Sequence, residues 1–172
     1  MLADELILLK TDSVLLVKHP SQPDSLLVNT LKEFRSKKVC VISTTNGCDV
    51  ILEAVSKHEL DFGDFFVIDC VTKLVIGPKL CKECAFVSSP GALTEISIEF
   101  SKVLKNGFEV VIFDNISTVL VYRKPNEIER LLSHMINKIK ASGLKLVIFV
   151  SEEDVNTAFF KRISMLADAD VR

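Results

Sequence analysis

The sequence predicts an α/β fold built on a mostly parallel central sheet of at least five strands. Two observations carry this. Short apolar runs alternate with longer amphipathic stretches along the whole chain, the pattern of successive βαβ units. The runs are also continuous rather than alternating polar and apolar, as strands are when helices cover both faces of a sheet.

The strand runs are VLLV (14–17), VCVI (39–42), FFVID (65–69), VVIFD (110–114) and LKLVIFV (144–150), with AFV (85–87) as a short extra candidate. Helices are expected over Leu26–Phe34, Val50–His58, Ala92–Leu104, Glu127–Ala141 and Val155–Leu166, each with apolar residues at three- and four-residue spacing. The fourth is the clearest, through Ile128, Leu131, Leu132, Met135, Ile136 and Ile139. Pro90 and Pro125 stand near helix starts, Asp49 and Asp154 are candidate caps, and Gly107 and Gly143 are stops. The longest irregular piece runs from Val71 to Glu83, and the terminal LADADV looks like the start of another strand.

With 172 residues, 48% of them hydrophobic, the chain suits one filled core, and a single domain over 1–172 is expected. A formal charge of -2 gives no global attraction to nucleic acid or to an anionic membrane. No apolar run approaches the roughly 20 residues of a membrane span, and the acidic start MLADELILLK lacks the basic region of a signal peptide. A cytoplasmic protein is expected. Five cysteines, including Cys40 and Cys70 within strand-like runs, fit a reducing compartment and a chain without disulfides.

The segment SVLLVKHPSQPDSLLVNTLKEF (13–34) is a strand, a polar loop and a helix, the order of a phosphate-binding loop without its chemistry. Such a loop needs glycines so that backbone N–H groups can close around phosphate, and a lysine for the β/γ oxygens. No glycine lies between Val17 and Leu26, and Asp24 stands about where the lysine belongs. Asp24 and Ser25 can satisfy the helix N–H groups themselves, while Pro20 and Pro23 remove two donors. Ordinary capping is favoured over a modified anion site that would include Ser21. Lys18 and His19, at the strand's carboxyl end, could meet a phosphate or simply face solvent.

The order of elements resembles the RecA-like ATPase core and, more narrowly, its KaiC-like branch. LLVKHPSQPDSLL looks like the P-loop segment, VCVISTTN like the second strand, VVIFDNIST like the Walker B strand, and LADADV like that branch's ending. SSPGALTEISIEFSKVL, VVIFDNISTVLVY and ERLLSHMINKIKASG together are similar to a family of KaiC-like proteins known chiefly from archaea, without an assigned activity. The resemblance implies a three-layer RecA-like P-loop NTPase fold. In its active members the Walker B aspartate, here Asp114 followed by Asn115, holds magnesium, and a glutamate where Thr45 and Asn46 stand activates water. The glutamate and the loop lysine are absent, so Asp114 is expected to bond to loop N–H groups near Ser117 and Thr118.

Cys81-Lys82-Glu83-Cys84 is a CxxC, but no second pair follows. A zinc site would have to recruit Cys48, Cys70 or His58 through folding, and a redox motif would open a helix rather than lead into AFVSSP. No metal site is expected from this motif, although spacing alone leaves metal binding by Cys81 and Cys84 undecided. His58 and His134 have plain helical places. The basic residues Arg123, Lys124, Arg130, Lys138, Lys140 and Lys145 are interrupted by Glu127 and Glu129, as on a solvated helix face. A phosphorylated receiver domain is excluded, because Lys18-His19 and Ser151-Glu152-Glu153 reverse the charges it needs.

The expected function is a catalytically inactive RecA/KaiC-like domain acting in regulation or signalling, with a protein partner or self-association and no cofactor. Two alternatives stand beside it. One is a nucleotide-binding protein or weak ATPase using ATP with magnesium; the other is a DNA-linked accessory factor of the recombinase-paralogue kind.

Overall fold

The structure, a computed structural model, describes residues 13–19, 24–61 and 63–171. The strands are β1 (Val14–His19), β2 (Lys38–Ser43), β3 (Asp64–Asp69), β4 (Cys84–Phe86), β5 (Val110–Asp114), β6 (Lys145–Ser151) and β7 (Ala169–Val171). The helices are α1 (Asp24–Glu33), α2 (Cys48–Lys57), α3 (Thr72–Val75), α4 (Leu93–Lys105), α5 (Ile116–Val119), α6 (Pro125–Ser142) and α7 (Ala158–Ser164). The candidate AFV (85–87) overlaps β4, and the terminal LADADV (166–171) ends in β7.

Among the described residues, seven strands pair in parallel, in the order β4-β3-β2-β5-β6-β1-β7. Successive strand side chains point to opposite faces, and the two faces carry different helices. Val14 and Leu16 of β1 join α4, α6 and α7 in one apolar cluster, whereas Leu15 and Val17 join α1 and α2 in the other. Helix, sheet and helix thus form three layers, and the continuous strand runs follow from burial on both sides.

Helix α6 buries the six residues that its periodicity marks, Ile128, Leu131, Leu132, Met135, Ile136 and Ile139. Each such side chain contributes about 1.5–3 kcal/mol by leaving water. Pro125 is its first residue, where a missing N–H costs nothing, and Gly143 ends it in the left-handed region at φ 65°. Among the described residues, no helix is long and apolar enough to cross a membrane.

Two expected caps are corrected. Asp49 lies in the first turn of α2, whose N-cap is Gly47. A Cβ on Gly47 would stand 2.7 Å from Thr72 Oγ1, so only glycine allows that approach. Asp154 ends a single 3-10 turn, and the cap of α7 is Thr157, whose hydroxyl accepts from Phe160 N.

The expectation of a chain without disulfides is corrected as well. Cys48 opens α2 and Cys84 opens β4, and their sulfurs meet as a disulfide with Cα atoms 6.5 Å apart. The 36 residues between them in sequence conceal this proximity, which the parallel packing of β2, β3 and β4 creates. Cys40 and Cys70 remain free and buried, and burial pushes both thiols far above their ordinary range.

Candidate functional site at the carboxyl ends of the strands

Strands β1 and β2 lead to α1 and α2 on one face, whereas β5 and β6 lead to α5, α6 and α7 on the other. Since β2 neighbours β5 and β6 neighbours β1, the chain departs in opposite directions from adjacent strands. Such reversals open the crevice in which ligands of parallel α/β sheets bind. In this chain a polar network links the strand ends at that point.

The network joins β2 to β5 first. Thr44, buried after β2, donates from its backbone N to Asp114 O at 2.7 Å and from its hydroxyl to Asn115 O at 2.8 Å. The same hydroxyl accepts from Asn115 N at 2.9 Å. Thr45 Oγ1 donates to the Asp114 carboxylate at 3.2 Å. The Asp114–Asn115 peptide bond is cis. Asp114, 1% exposed, therefore faces a threonine hydroxyl at the end of the neighbouring strand.

Asn115 then ties β5 to β6 and β1. Its Nδ2 donates to Ser151 Oγ at 3.2 Å and lies 3.1 Å from His19 Nε2. Its Oδ1 accepts from Ser117 N at 3.0 Å, capping α5. Ser117 Oγ in turn accepts from Ser151 N at 2.9 Å. The cap expected from Asp114 thus belongs to Asn115, one residue nearer the helix and aimed along it.

His19 is buried, with its ring edge-on to Phe149 at 6.2 Å between centroids. Lys18 points the other way, to Asp170 of β7 at 2.5 Å, with its ammonium 5.2 Å from the centre of the Phe160 ring. Its side chain is only 12% exposed, so a nearly desolvated lysine anchors the edge strand. Pro20 and Ser21 lie outside the described residues, as do the side chains of Asp24 and Ser25, whose backbone opens α1.

A second polar centre closes β3. Asp69, fully buried, accepts from Cys48 N at 2.7 Å, from Val71 N and Thr72 N at 2.8 Å each, and from the Thr72 hydroxyl. One carboxylate therefore organises the starts of α2 and α3. The sequence singles out none of the hydroxyls of Thr44, Ser117 and Ser151 as a site group, and their signal there is small: hydroxyl residues clustered just after apolar runs.

No protein-family model and no curated protein matches the sequence. Among the solved structures that match is a KaiC-like protein from the hyperthermophilic archaeon Pyrococcus horikoshii OT3. It is 8% identical, with a TM-score of 0.58, and the alignment covers 93% of this chain and 72% of that one. The fold is RecA/KaiC-like: an α/β fold of three layers, its parallel sheet carrying β6 between β1 and β5.

Proposed function

We propose that this chain is a RecA/KaiC-like domain without catalytic activity, working in regulation or signalling through contact with a protein partner or with its own copies. The observation that carries the reading is Thr45 on Asp114: a hydroxyl, not a glutamate, stands against the carboxylate that ends β5. A threonine has no basicity with which to activate water.

The neighbouring side chains do not fit a magnesium triphosphate. Lys18 is engaged by Asp170, Asn115 by Ser117 and Ser151, and the 18–25 segment contains no glycine. Side chains committed in this way support no phosphoryl-transfer step. Protein contact has its own support in an exposed apolar stretch before β4, where Val75 is 76% exposed, Ile76 62% and Leu80 fully. Apolar side chains exposed close together in the chain are candidates for an interaction site.

Calorimetric titration with Mg-ATP, paired with thermal unfolding, tests the proposal. Neither heat nor stabilisation is expected. Micromolar binding, with the stabilisation of about 2.7 kcal/mol due at 100-fold excess over Kd, overturns the reading in favour of a nucleotide-binding protein, the more so if Asp114→Asn abolishes it. Affinity for DNA that falls steeply with salt would instead favour the recombinase-paralogue alternative.

A further inference from the structure

We propose that Cys48, Cys81 and Cys84 form a metal site that holds one zinc ion once a small-molecule dithiol has reduced the Cys48–Cys84 disulfide to two thiols, itself becoming a disulfide, the three thiols giving up their protons as the metal binds. Among the described residues, these three are the group of metal-capable side chains that the fold brings together, with all three sulfurs within 4.8 Å of one another. Three thiolates around tetrahedral zinc, with Zn–S bonds of about 2.3 Å, stand about 3.8 Å apart. Reduction frees the Cys48 and Cys84 sulfurs to separate to that spacing.

The third sulfur carries the inference. A disulfide between Cys48 and Cys84 accounts for two cysteines and leaves the convergence of Cys81 unexplained. Zinc explains all three, because two ligands spaced as CxxC with others from a distant segment are the common arrangement of thiolate zinc sites. Cys40 and Cys70 show the contrast: each is a buried thiol held among apolar side chains.

The end of a helix supports one of the three ligands. Cys48 is the first residue of α2, a helix of 10 residues, so its sulfur lies at the positive end of the helix dipole, where a thiolate is stabilised. Its backbone N–H is fixed to Asp69 at 2.7 Å, which holds the helix start in place. Cys48 is buried while Cys81 and Cys84 are half-buried. The site therefore opens to solvent on the side of the CxxC, and a water completes the fourth position. Glu83 Oε2 already lies 3.2 Å from Cys81 Sγ, adding negative charge beside the cation.

Bound zinc would join the start of α2 to the segment before β4, pinning the exposed Val75–Leu80 stretch against the body of the fold. The site does not depend on the proposed function: it concerns the opposite edge of the sheet from β1 and β7. Zinc and the disulfide exclude one another, since a disulfide sulfur is no longer a thiolate ligand.

Titration of the reduced full chain with Co(II), followed by displacement with Zn(II), tests the site. One equivalent of Co(II) should bind with an intense near-ultraviolet thiolate-to-metal band and visible bands of tetrahedral coordination, all lost when zinc is added. Cys81→Ser should weaken the metal by more than the about 10–100-fold typical of outer-shell changes. Because Cys81 is half-buried, that variant should fold, as circular dichroism will verify. Cys84→Ser should behave alike. No thiolate band from the reduced chain, or unchanged affinity in Cys81→Ser, overturns the proposal; a Cys48–Cys84 disulfide re-forming in the presence of zinc does so too.

Discussion

Thr45 Oγ1 and Asp114 Oδ2 stand 3.2 Å apart and join the carboxyl ends of β2 and β5. Thr45→Val keeps the shape and removes the donor, leaving a nearly buried carboxylate with one partner fewer. The expected loss is about 1–3 kcal/mol, read as a lower urea midpoint with an unchanged slope. A variant as stable as the parent would show that this contact does not hold the two strand ends together.

Asp69 is the more demanding position, because four donors converge on it with no access to water. Asp69→Ala orphans three backbone N–H groups at the starts of α2 and α3. At about 1–3 kcal/mol for each group left unsatisfied, the chain should lose most of its stability. Chemical unfolding will measure this, and a loss under about 1 kcal/mol, less than one orphaned group costs, would contradict the account.

Lys18 and Asp170 provide an asymmetric pair. Lys18→Met retains the stem over Phe160 and removes the charge, so its effect should be small. Asp170→Asn leaves a lysine that is only 12% exposed without its carboxylate and should be the more destabilising change. Comparison of the two thermal midpoints decides the matter; the reverse order would mean that Lys18 is not anchored by this pair.

Asp168 carries a pH dependence. Burial acts to raise its pKa, but Lys140 at 2.5 Å and the N–H groups of Ser13 and Val14 at 2.9 Å outweigh that and hold the carboxyl below its ordinary value. A depressed folded pKa means that the unfolded chain binds more protons between the two values, so stability rises with pH there. The contribution is complete above the unfolded value near about 3.9 and is lost as pH falls through the lower folded one. Asp168→Asn should therefore be destabilised at neutral pH, with the difference from the parent shrinking in acid. A difference that persists unchanged into acid would refute this.

Much of the architecture could be read from the residues in order. The continuous runs at 39–42 and 110–114 announce doubly covered strands, and the spacing of Ile128 to Ile139 marks the buried face of α6. Caps were less legible. Asp49 and Asp154 have the right chemistry for an N-cap, yet Gly47 was required by the close approach of Thr72, and Thr157 was set by where the 3-10 turn ends. The polar site was legible only as a set of parts. Asp114 and Asn115 stand out after an apolar run, but nothing in one dimension assigns the cap to Asn115 or turns Lys18 toward Asp170.

The sequence by itself determined the class of fold, the sheet-and-helix order and the absence of loop glycines and lysine, because these depend on local periodicity and residue chemistry. The tertiary structure alone decided which distant groups meet: Thr45 with Asp114, Asn115 with His19 and Ser151, Cys48 with Cys81 and Cys84. The reason is strand order. Parallel pairing sets β2 beside β5 and β6 beside β1 and gathers the strand ends at one edge of the sheet, whereas separation along the chain carries no trace of that adjacency.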